Sequence, residues 1–252
     1  MTQCRRPLRV LLLGGTREAR ELAEALSDDG RWKVISSLAG RTRDPEAVPS
    51  EIRVGGFGGM DGLAAFLKEG AIDLVVDATH PFAEVISRNA VGAAGKLGLP
   101  YLRLCRPAWR GEAGDRWQSV ANVQQAADVL SPGHRVFLTI GRQKLAPFFA
   151  RDDVRIIARM IEAPTVPVPP HVEIILARPP FEVSDEAELM QAREINVLVT
   201  KNAGGPSVES KLIAARNLGL PVIMIERSQN GVPVDAETVA ELIVLLDRHY
   251  AT

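Results

Sequence analysis

The sequence contains few of the residues that mark several protein classes. Its 252 residues include only two cysteines, Cys4 and Cys105, at a spacing that matches no motif. A reducing cytoplasm therefore fits this chain better than a disulfide framework does. The four histidines, at positions 80, 134, 171 and 249, lack the close pairing of a zinc site, and no metal is predicted.

Long apolar runs and a strong bias in charge are also missing. The run from Leu8 to Leu13 has the length of a strand, and no run approaches the length of a membrane span. A net charge of −1 implies neither a nucleic acid nor a membrane surface as partner. Hydrophobic residues at 46% and charged residues at 24% are typical of a soluble globular protein.

Several catalytic motifs are absent as well. The two tyrosines, Tyr101 and Tyr250, do not start the Tyr-x-x-x-Lys motif that supplies the proton in short-chain reductases. Neither the Gly-x-Ser-x-Gly nucleophile elbow nor a P-loop ending in Gly-Lys-Ser/Thr occurs. These absences argue against a short-chain reductase, a hydrolase with a nucleophile elbow and a P-loop enzyme.

The stretch that follows residue 9 predicts a strand, a tight turn and a helix. The apolar run Val10 to Leu13 is typical of a central parallel strand, and Gly14 and Gly15 let a ligand approach the backbone. Thr16 can cap the next helix, whose free N–H groups suit a phosphate. The usual middle glycine of a dinucleotide fingerprint is replaced by Thr16, so an ordinary turn is the alternative. The apolar positions of the helix are Ala19, Leu22, Ala23 and Leu26.

The end of the second predicted strand, 33–38, bears on the choice of cofactor. An NAD site places an acid here, whereas an NADP site often places an arginine against the 2′-phosphate. No acid occurs from Val34 to Arg43, and Arg41 and Arg43 are both basic. This pattern favours NADPH, with a solvated basic loop as the alternative.

Two more loops are predicted at the same edge of this sheet. The glycine-rich segment 55–59 follows a short strand at 52–54, and the segment 78–82 follows the strand 73–77. Ligands of open α/β sheets bind at the carboxyl ends of the strands. A flexible connector is the alternative for the glycine loop, and an internal hydrogen bond is the alternative for His80.

The second half repeats this layout after a break at 106–111, which predicts two α/β domains, 1–111 and 112–252, with mostly parallel sheets and an inter-domain cleft. Basic residues follow four of its predicted strands, and they suit a substrate with several carboxylates or phosphates. Side chains that simply face water are the alternative. The basic residues at these strand ends are Arg142, Lys144, Arg159, Arg178 and Lys201.

Six motifs occur together in order and resemble one known family. They are GGTREA at 14–19, SLAGRT at 37–42, GGFGG at 55–59, DATHPFA at 77–83, IGR at 140–142 and TKNAGG at 200–205. Together they resemble the precorrin-6A reductases of cobalamin biosynthesis, in the aerobic or the cobalt-dependent form. The resemblance spans nearly the whole chain.

The resemblance implies a hydride transfer from NADPH to a ring carbon of precorrin-6A, with a proton added at the neighbouring carbon to give precorrin-6B. The acetate and propionate groups of this tetrapyrrole would explain the cationic strand ends. NADPH would lie on the first half, and the macrocycle between the halves. A nucleotide-sugar or oxoacid reductase and a non-catalytic NADP-binding redox sensor are the rival interpretations, and a monomer and a small homo-oligomer both stay open.

Roles are predicted residue by residue from these arguments. The pyrophosphate is expected at Gly14, Gly15, Thr16 and Arg17, and the 2′-phosphate at Arg41 and Thr42, with Ser37 as a further cofactor-binding residue. The nicotinamide riboside is expected at Gly56, Phe57, Gly58, Thr79, His80, Pro81 and Phe82. Substrate carboxylates are expected at Arg142, Arg159, Lys201, Asn202, Gly204 and Ser207, and Lys201 is also the predicted proton donor, with solvent as its competitor.

Overall fold

A computed structural model describes residues 6–40, 49–228 and 232–250 of the chain. The strands of these residues form one five-stranded and one six-stranded sheet, and every strand pair is parallel. The predicted α/β class with two mostly parallel sheets is confirmed. Arg41 and Thr42, the predicted 2′-phosphate ligands, lie outside the described residues.

The five-stranded sheet has the strand order β3-β2-β1-β4-β5, so the chain reverses direction across the sheet between β1 and β4. This is the arrangement in which dinucleotides bind at the reversal point. Its strands are β1 (Leu8–Leu13), β2 (Trp32–Leu38), β3 (Glu51–Val54), β4 (Leu74–Asp77) and β5 (Tyr101–Arg103). The helices that alternate with them are α1 (Arg17–Ser27), α2 (Gly59–Glu69) and α3 (Glu84–Leu97).

Strand β1 lies in the middle of this sheet, between β2 and β4, and both of its faces are covered. Val10 and Leu12 pack with the apolar face of α1, whereas Leu11 and Leu13 pack with residues of α2 and α3. All four side chains are buried, which explains the continuous apolar run in the sequence. The apolar positions predicted for α1 are also its buried residues, so this element is confirmed: Ala19, Leu22, Ala23 and Leu26.

The six-stranded sheet has the order β6-β11-β10-β7-β8-β9, with its reversal point between β7 and β10. Helices α6 and α7 pack together on one face, over a core that includes Phe137 and Leu198. Its strands are β6 (Arg116–Val120), β7 (Arg135–Thr139), β8 (Arg155–Met160), β9 (Val172–Leu176), β10 (Val197–Lys201) and β11 (Pro221–Ile225). Its helices are α4 (Val123–Asp128), α5 (Ala146–Phe149), α6 (Val183–Ala192) and α7 (Ser210–Asn217).

The chain divides into two units whose limits differ from the predicted domains 1–111 and 112–252. The first unit comprises the described residues of Met1–Arg106 and Gln229–Thr252, and the second comprises Pro107–Ser228. The C-terminal helix α8 (Val239–Tyr250) belongs to the first unit because Leu242 and Leu246 complete the core beneath α1. Periodicity predicts that this helix buries one face, but it does not indicate which sheet receives that face.

No helix within 6–40, 49–228 and 232–250 is both long enough and apolar enough to cross a bilayer. The cleft predicted between the two domains stays a prediction.

Candidate functional site

The turn after β1 has an open backbone suited to a diphosphate. Gly15 has φ +101°, and a Cβ placed there would meet no atom within 4 Å. Gly14 is confined, since its Cβ would lie 3.3 Å from the Cβ of Ala19 in the first turn of α1. The two glycines thus do different work: one brings helix and strand together, and the other leaves space beside the main chain.

Thr16 is the N-cap of α1, as predicted. Its Oγ1 accepts a hydrogen bond from the Ala19 amide at 3.1 Å and donates one to the carbonyl of Ala78 at 2.7 Å. Since Ala78 directly follows β4, one side chain fastens the ends of the two strands that flank the reversal point. Helix α1 therefore begins beside this point, and its N-terminal dipole end favours an anion there.

Two other predicted ligands lie near this turn. Arg17 is exposed and forms an ion pair with Glu21 one helical turn later, at 2.6 Å. Ser37 is buried, and its carbonyl accepts a hydrogen bond from the Gly14 amide at 3.0 Å. The main chain of Ser37 therefore supports the turn, whereas the Arg17 side chain is held at the surface by an exposed pair of modest strength.

The glycine loop after β3 is pinned by Arg53, which the sequence interpretation missed. The Arg53 guanidinium donates to the carbonyls of Gly55 at 2.6 Å and Gly56 at 2.8 Å, and it lies 3.8 Å from the centre of the Phe57 ring. Phe57 also contacts Phe66 of α2 edge to face at 5.2 Å between ring centres. These contacts argue against the flexible connector, because a planar guanidinium binds two carbonyls and one aromatic face at once.

The backbone of this loop also packs closely against helix α2. A Cβ on Gly62, in α2, would lie 1.8 Å from the carbonyl oxygen of Phe57. Gly58 caps α2 in the left-handed region, with φ +79°. The glycine-rich composition therefore serves both a helix start and a tight packing contact.

The loop after β4 holds the four residues predicted to line the nicotinamide riboside. The Thr79 hydroxyl donates to the buried carboxylate of Asp77 at 2.6 Å. His80 accepts a hydrogen bond at Nδ1 from the Phe82 amide at 3.2 Å, and Pro81 between them is buried. The internal hydrogen bond proposed as the alternative for His80 is present.

In the second unit, the residues at the reversal point are Lys201 and the segment after β7. Lys201 is the last residue of β10, and its Nζ donates to the carbonyl of Ile140 at 2.6 Å. Arg142 follows in a short 3-10 turn and pairs with Glu162, which follows β8, at 2.9 Å. Lys201, Arg142 and Glu162 thus lie at carboxyl ends of neighbouring strands, as the sequence predicted.

Asn202 and Gly204 have structural partners. The Asn202 amide oxygen accepts from the Trp109 N–H at 2.8 Å, and its Nδ2 donates to the Trp109 carbonyl and to Glu226 at 3.2 and 3.0 Å. A Cβ on Gly204 would lie 1.9 Å from the carbonyl oxygen of Pro107. Both residues hold the 107–109 segment against β10, so substrate contacts of the Asn202 side chain and Gly204 stay a prediction.

Arg159 is turned toward the interior of the second unit. Its side chain is 9% exposed, pairs with the fully buried Glu186 at 2.6 Å and lies 3.6 Å from the centre of the Phe181 ring. A guanidinium with these partners links β8 to α6 in the interior, and this contact favours a structural role over the predicted substrate contact. Ser207, by contrast, lies half-buried in the 3-10 turn Pro206–Val208 beside the reversal point.

Lys211 is a buried cation that the sequence interpretation also missed. It is 4% exposed, its Nζ donates to the carbonyl of Val208 at 2.5 Å and lies 5.2 Å from the centre of the Trp109 ring. Burial lowers the pKa of Lys211 to about 7, an effect that Glu186 opposes and Arg159 reinforces. The sequence gives no sign of this burial, because lysines in helices usually face water.

Comparison with known proteins agrees with this architecture. The family model described as Precorrin-6x reductase CbiJ/CobK matches residues 9–247. A protein named precorrin-6A reductase from Rhodococcus erythropolis is 48% identical over 235 residues, which cover 93% of this chain and 94% of that protein. A cobalt-precorrin-6A reductase from Priestia megaterium is 33% identical over 231 residues, covering 86% of this chain and 90% of its own.

A solved structure is similar over nearly all of its length. The structure named CobK precorrin-6A reductase superposes with a TM-score of 0.90 at 42% identity, and the match covers 97% of this chain and 98% of that one. Sequence, family model and fold agree, and the family identified from the six motifs is confirmed. The chain therefore belongs to the precorrin-6x reductase family CbiJ/CobK, the reductases of cobalamin biosynthesis.

Proposed function

We propose that this reductase uses NADPH to reduce metal-free precorrin-6A, adding a hydride at one ring carbon and a proton at its neighbour. The observation that carries the proposal is the carboxyl edge of the first unit, where an open glycine turn, a capped helix start and the reversal point of the sheet coincide. This combination suits a dinucleotide diphosphate.

The residues of the first unit fit NADPH on structural grounds. The open space beside Gly15 leaves room for a diphosphate, and Thr16 holds α1 and β4 in place around it. The pinned glycine loop and the loop after β4 follow the strands on either side of the β1–β2 pair. NADPH, when bound, supplies the hydride, and the protein orients the cofactor and holds it against the acceptor carbon.

The second unit supplies groups for a polycarboxylate. Arg142 and Lys201 lie at the carboxyl ends of β7 and β10, and Ser207 lies in the turn after β10. We assign the acetate and propionate groups of the macrocycle to this edge, because charged hydrogen bonds to carboxylates are its main chemical capacity. Lys201 is the group that we assign to deliver the proton.

The choice of metal-free precorrin-6A over its cobalt form follows the names of the relatives. The Rhodococcus protein, 48% identical, carries the name of the metal-free form, and the Priestia protein, 33% identical, that of the cobalt form. A cytoplasmic location, expected from the scarcity of cysteine, belongs to the same proposal.

Incubation with NADPH and either metal-free or cobalt-bearing precorrin-6A tests this function. The product is analysed by mass for two added hydrogens. We expect the gain with the metal-free substrate. A gain with the cobalt substrate alone would support the alternative activity, and no NADPH oxidation with either would favour the redox sensor.

Arg41→Ala is expected to raise the KM for NADPH. Loss of a charged hydrogen bond to the 2′-phosphate is worth roughly 1.5–3 kcal/mol, which corresponds to about a 10- to 150-fold change. The KM for NADH should change little, because NADH carries no phosphate at that position. Steady-state kinetics with both cofactors make the measurement.

Arg43→Ala is the matched control for this prediction, because it removes the same charge two residues away. We expect it to have the smaller effect on NADPH. An equal loss of NADPH and NADH use in Arg41→Ala would contradict the role given to Arg41.

Lys201→Met keeps the aliphatic stem but removes the amine, and it is expected to lower kcat by more than it raises the KM for the substrate. A positioned general acid contributes ~100-fold or more to a rate. Lys144→Met removes a cation from the same edge and should alter KM rather than kcat. A change in substrate affinity alone in Lys201→Met would make Lys201 a binding residue and leave the proton to solvent.

A further inference from the structure

A buried acid, Asp77, lies at the reversal point of the first sheet and has no role in the function proposed so far. It is the last residue of β4, it pairs in register with Leu13 of β1, and it is 1% exposed. Within the described part of the chain, no Lys, Arg or His lies at ion-pair distance from it. A buried carboxylate of this kind must be stabilised by hydrogen bonds.

Three donors supply these bonds. Oδ1 of Asp77 accepts from the Thr79 amide at 3.0 Å and from the Thr79 hydroxyl at 2.6 Å, and Oδ2 accepts from the Tyr101 hydroxyl at 2.8 Å. Burial and the neighbouring charge of Asp77 raise the pKa of Tyr101, so the phenol keeps its proton. Strands β4 and β5 and the loop after β4 are thereby joined at one carboxylate.

The hydrogen bond to Asp77 fixes the orientation of the Thr79 hydroxyl. A hydroxyl has one proton and two lone pairs, and here the proton is directed at Asp77. The hydroxyl of Ser87 lies 3.5 Å from that of Thr79 and belongs to a fully buried residue of α3. Thr79 is half-buried. Because its proton is used by Asp77, the hydroxyl can offer an acceptor, and not a donor, at the carboxyl edge.

We propose that Asp77 is a positioning residue that fixes the Thr79 hydroxyl as a hydrogen-bond acceptor for an N–H or O–H donor on the nicotinamide riboside half of the cofactor. This inference rests on the proposed use of NADPH. In a sheet with this strand order the two halves of a dinucleotide lie on opposite sides of the reversal point, and β4 lies on the side away from β2. The donor is the carboxamide of nicotinamide or a hydroxyl of its ribose.

Asp77→Ala tests the inference because it removes both acceptor oxygens. The Thr79 hydroxyl then has no carboxylate to direct its proton, so its lone pairs are no longer held in one orientation. We expect the Kd for NADP⁺, measured by calorimetry, to rise about 10-fold, which is the loss of roughly one hydrogen bond. The Kd for 2′,5′-ADP, which lacks the nicotinamide riboside, should not change.

The matched control is Asp73→Ala, which makes the same substitution just before β4, where Asp73 accepts from the Arg9 amide and pairs with Arg6. It should leave both Kd values unchanged. The acetylpyridine analogue of NADP⁺ separates the two donors, since it lacks the carboxamide N–H. A penalty of Asp77→Ala that disappears with this analogue identifies the carboxamide, and one that persists identifies the ribose.

Thr79→Val and Thr79→Ser keep the inference testable should Asp77→Ala fail to fold. Thr79→Val should weaken the binding of NADP⁺ and spare that of 2′,5′-ADP, and Thr79→Ser should restore NADP⁺ binding. Where Asp77→Ala folds, adding it to Thr79→Val should cost no further NADP⁺ affinity. Equal weakening of NADP⁺ and 2′,5′-ADP, or no weakening of either, overturns the inference, whereas a wild-type protein that binds neither refutes the proposed cofactor itself.

Discussion

Gly204→Ala is expected to destabilise the second unit by about 2–5 kcal/mol, the sum of left-handed backbone strain and overpacking. The added Cβ would lie 1.9 Å from the Pro107 carbonyl oxygen and 2.8 Å from the Arg227 guanidinium. The backbone at Pro107 cannot withdraw freely, because Trp109, two residues later, is held to Asn202 by two hydrogen bonds. The Trp109 amide donates to Asn202 Oδ1, and Asn202 Nδ2 donates to the Trp109 carbonyl. The segment that carries Lys201 should shift with the strain.

The free energy of unfolding is best measured with a probe confined to the second unit. Of the three tryptophans, only Trp32 belongs to the first unit. In a Trp32→Phe background, urea titrations followed by fluorescence report on Trp109 and Trp117.

Gly219→Ala is the matched control for this substitution. Gly219 has φ +65°, close to the +68° of Gly204, but a Cβ there would meet no atom within 4 Å. It should cost only the backbone strain, about 1–2 kcal/mol. Equal losses of stability in the two variants would show that the contact with Pro107 carries no energetic weight.

The stability of the second unit is expected to rise with pH above neutrality because of Lys211. Burial lowers its pKa from 10.5 to about 7, so between these values the unfolded chain binds the proton that the folded chain has lost. The free energy of unfolding therefore increases through this window, by about 2 kcal/mol between pH 7 and pH 9. Below pH 7 the amine is charged in both states, and the full penalty of burying the charge remains.

Lys211→Met removes the titrating amine and should abolish this rise. The side chain of Met fills a similar space, so the variant should be more stable than the wild type near pH 7, with the difference shrinking toward pH 10. Lys144→Met is the control, since Lys144 is an exposed lysine of the same unit. A difference between wild type and Lys211→Met that is constant with pH, or that grows with pH, would contradict the prediction.

Much of the fold was predictable because its elements have strong local patterns. The buried strand β1, the apolar stripe of α1 and the Thr16 cap follow from residue spacing alone, and each is present in the structure. The parallel arrangement followed from the alternation of strands and helices, which also predicted which loops share one edge. These features are encoded in the spacing of residues close in sequence.

The predicted domains, 1–111 and 112–252, differ from the two units of the structure for a tertiary reason. Helix α8 has the same apolar periodicity whichever sheet it covers, and only the fit of Leu242 and Leu246 beneath α1 settles the question. The same holds for Arg159, since an arginine one residue before the end of a strand can point to either face. Phe181 and Glu186, far along the chain, draw its guanidinium inward.

The amino-acid sequence by itself determined the α/β class, the order of the strands along the chain, the glycine turn with its helix cap and the family, because each depends on local spacing or on motifs that occur together. Only the tertiary structure decided which charges are buried. It placed Asp77 against Tyr101 of the neighbouring strand and Lys211 beside Trp109. Partners such as Arg159 and Glu186 become neighbours only when strands and helices pack, and no local pattern encodes that proximity.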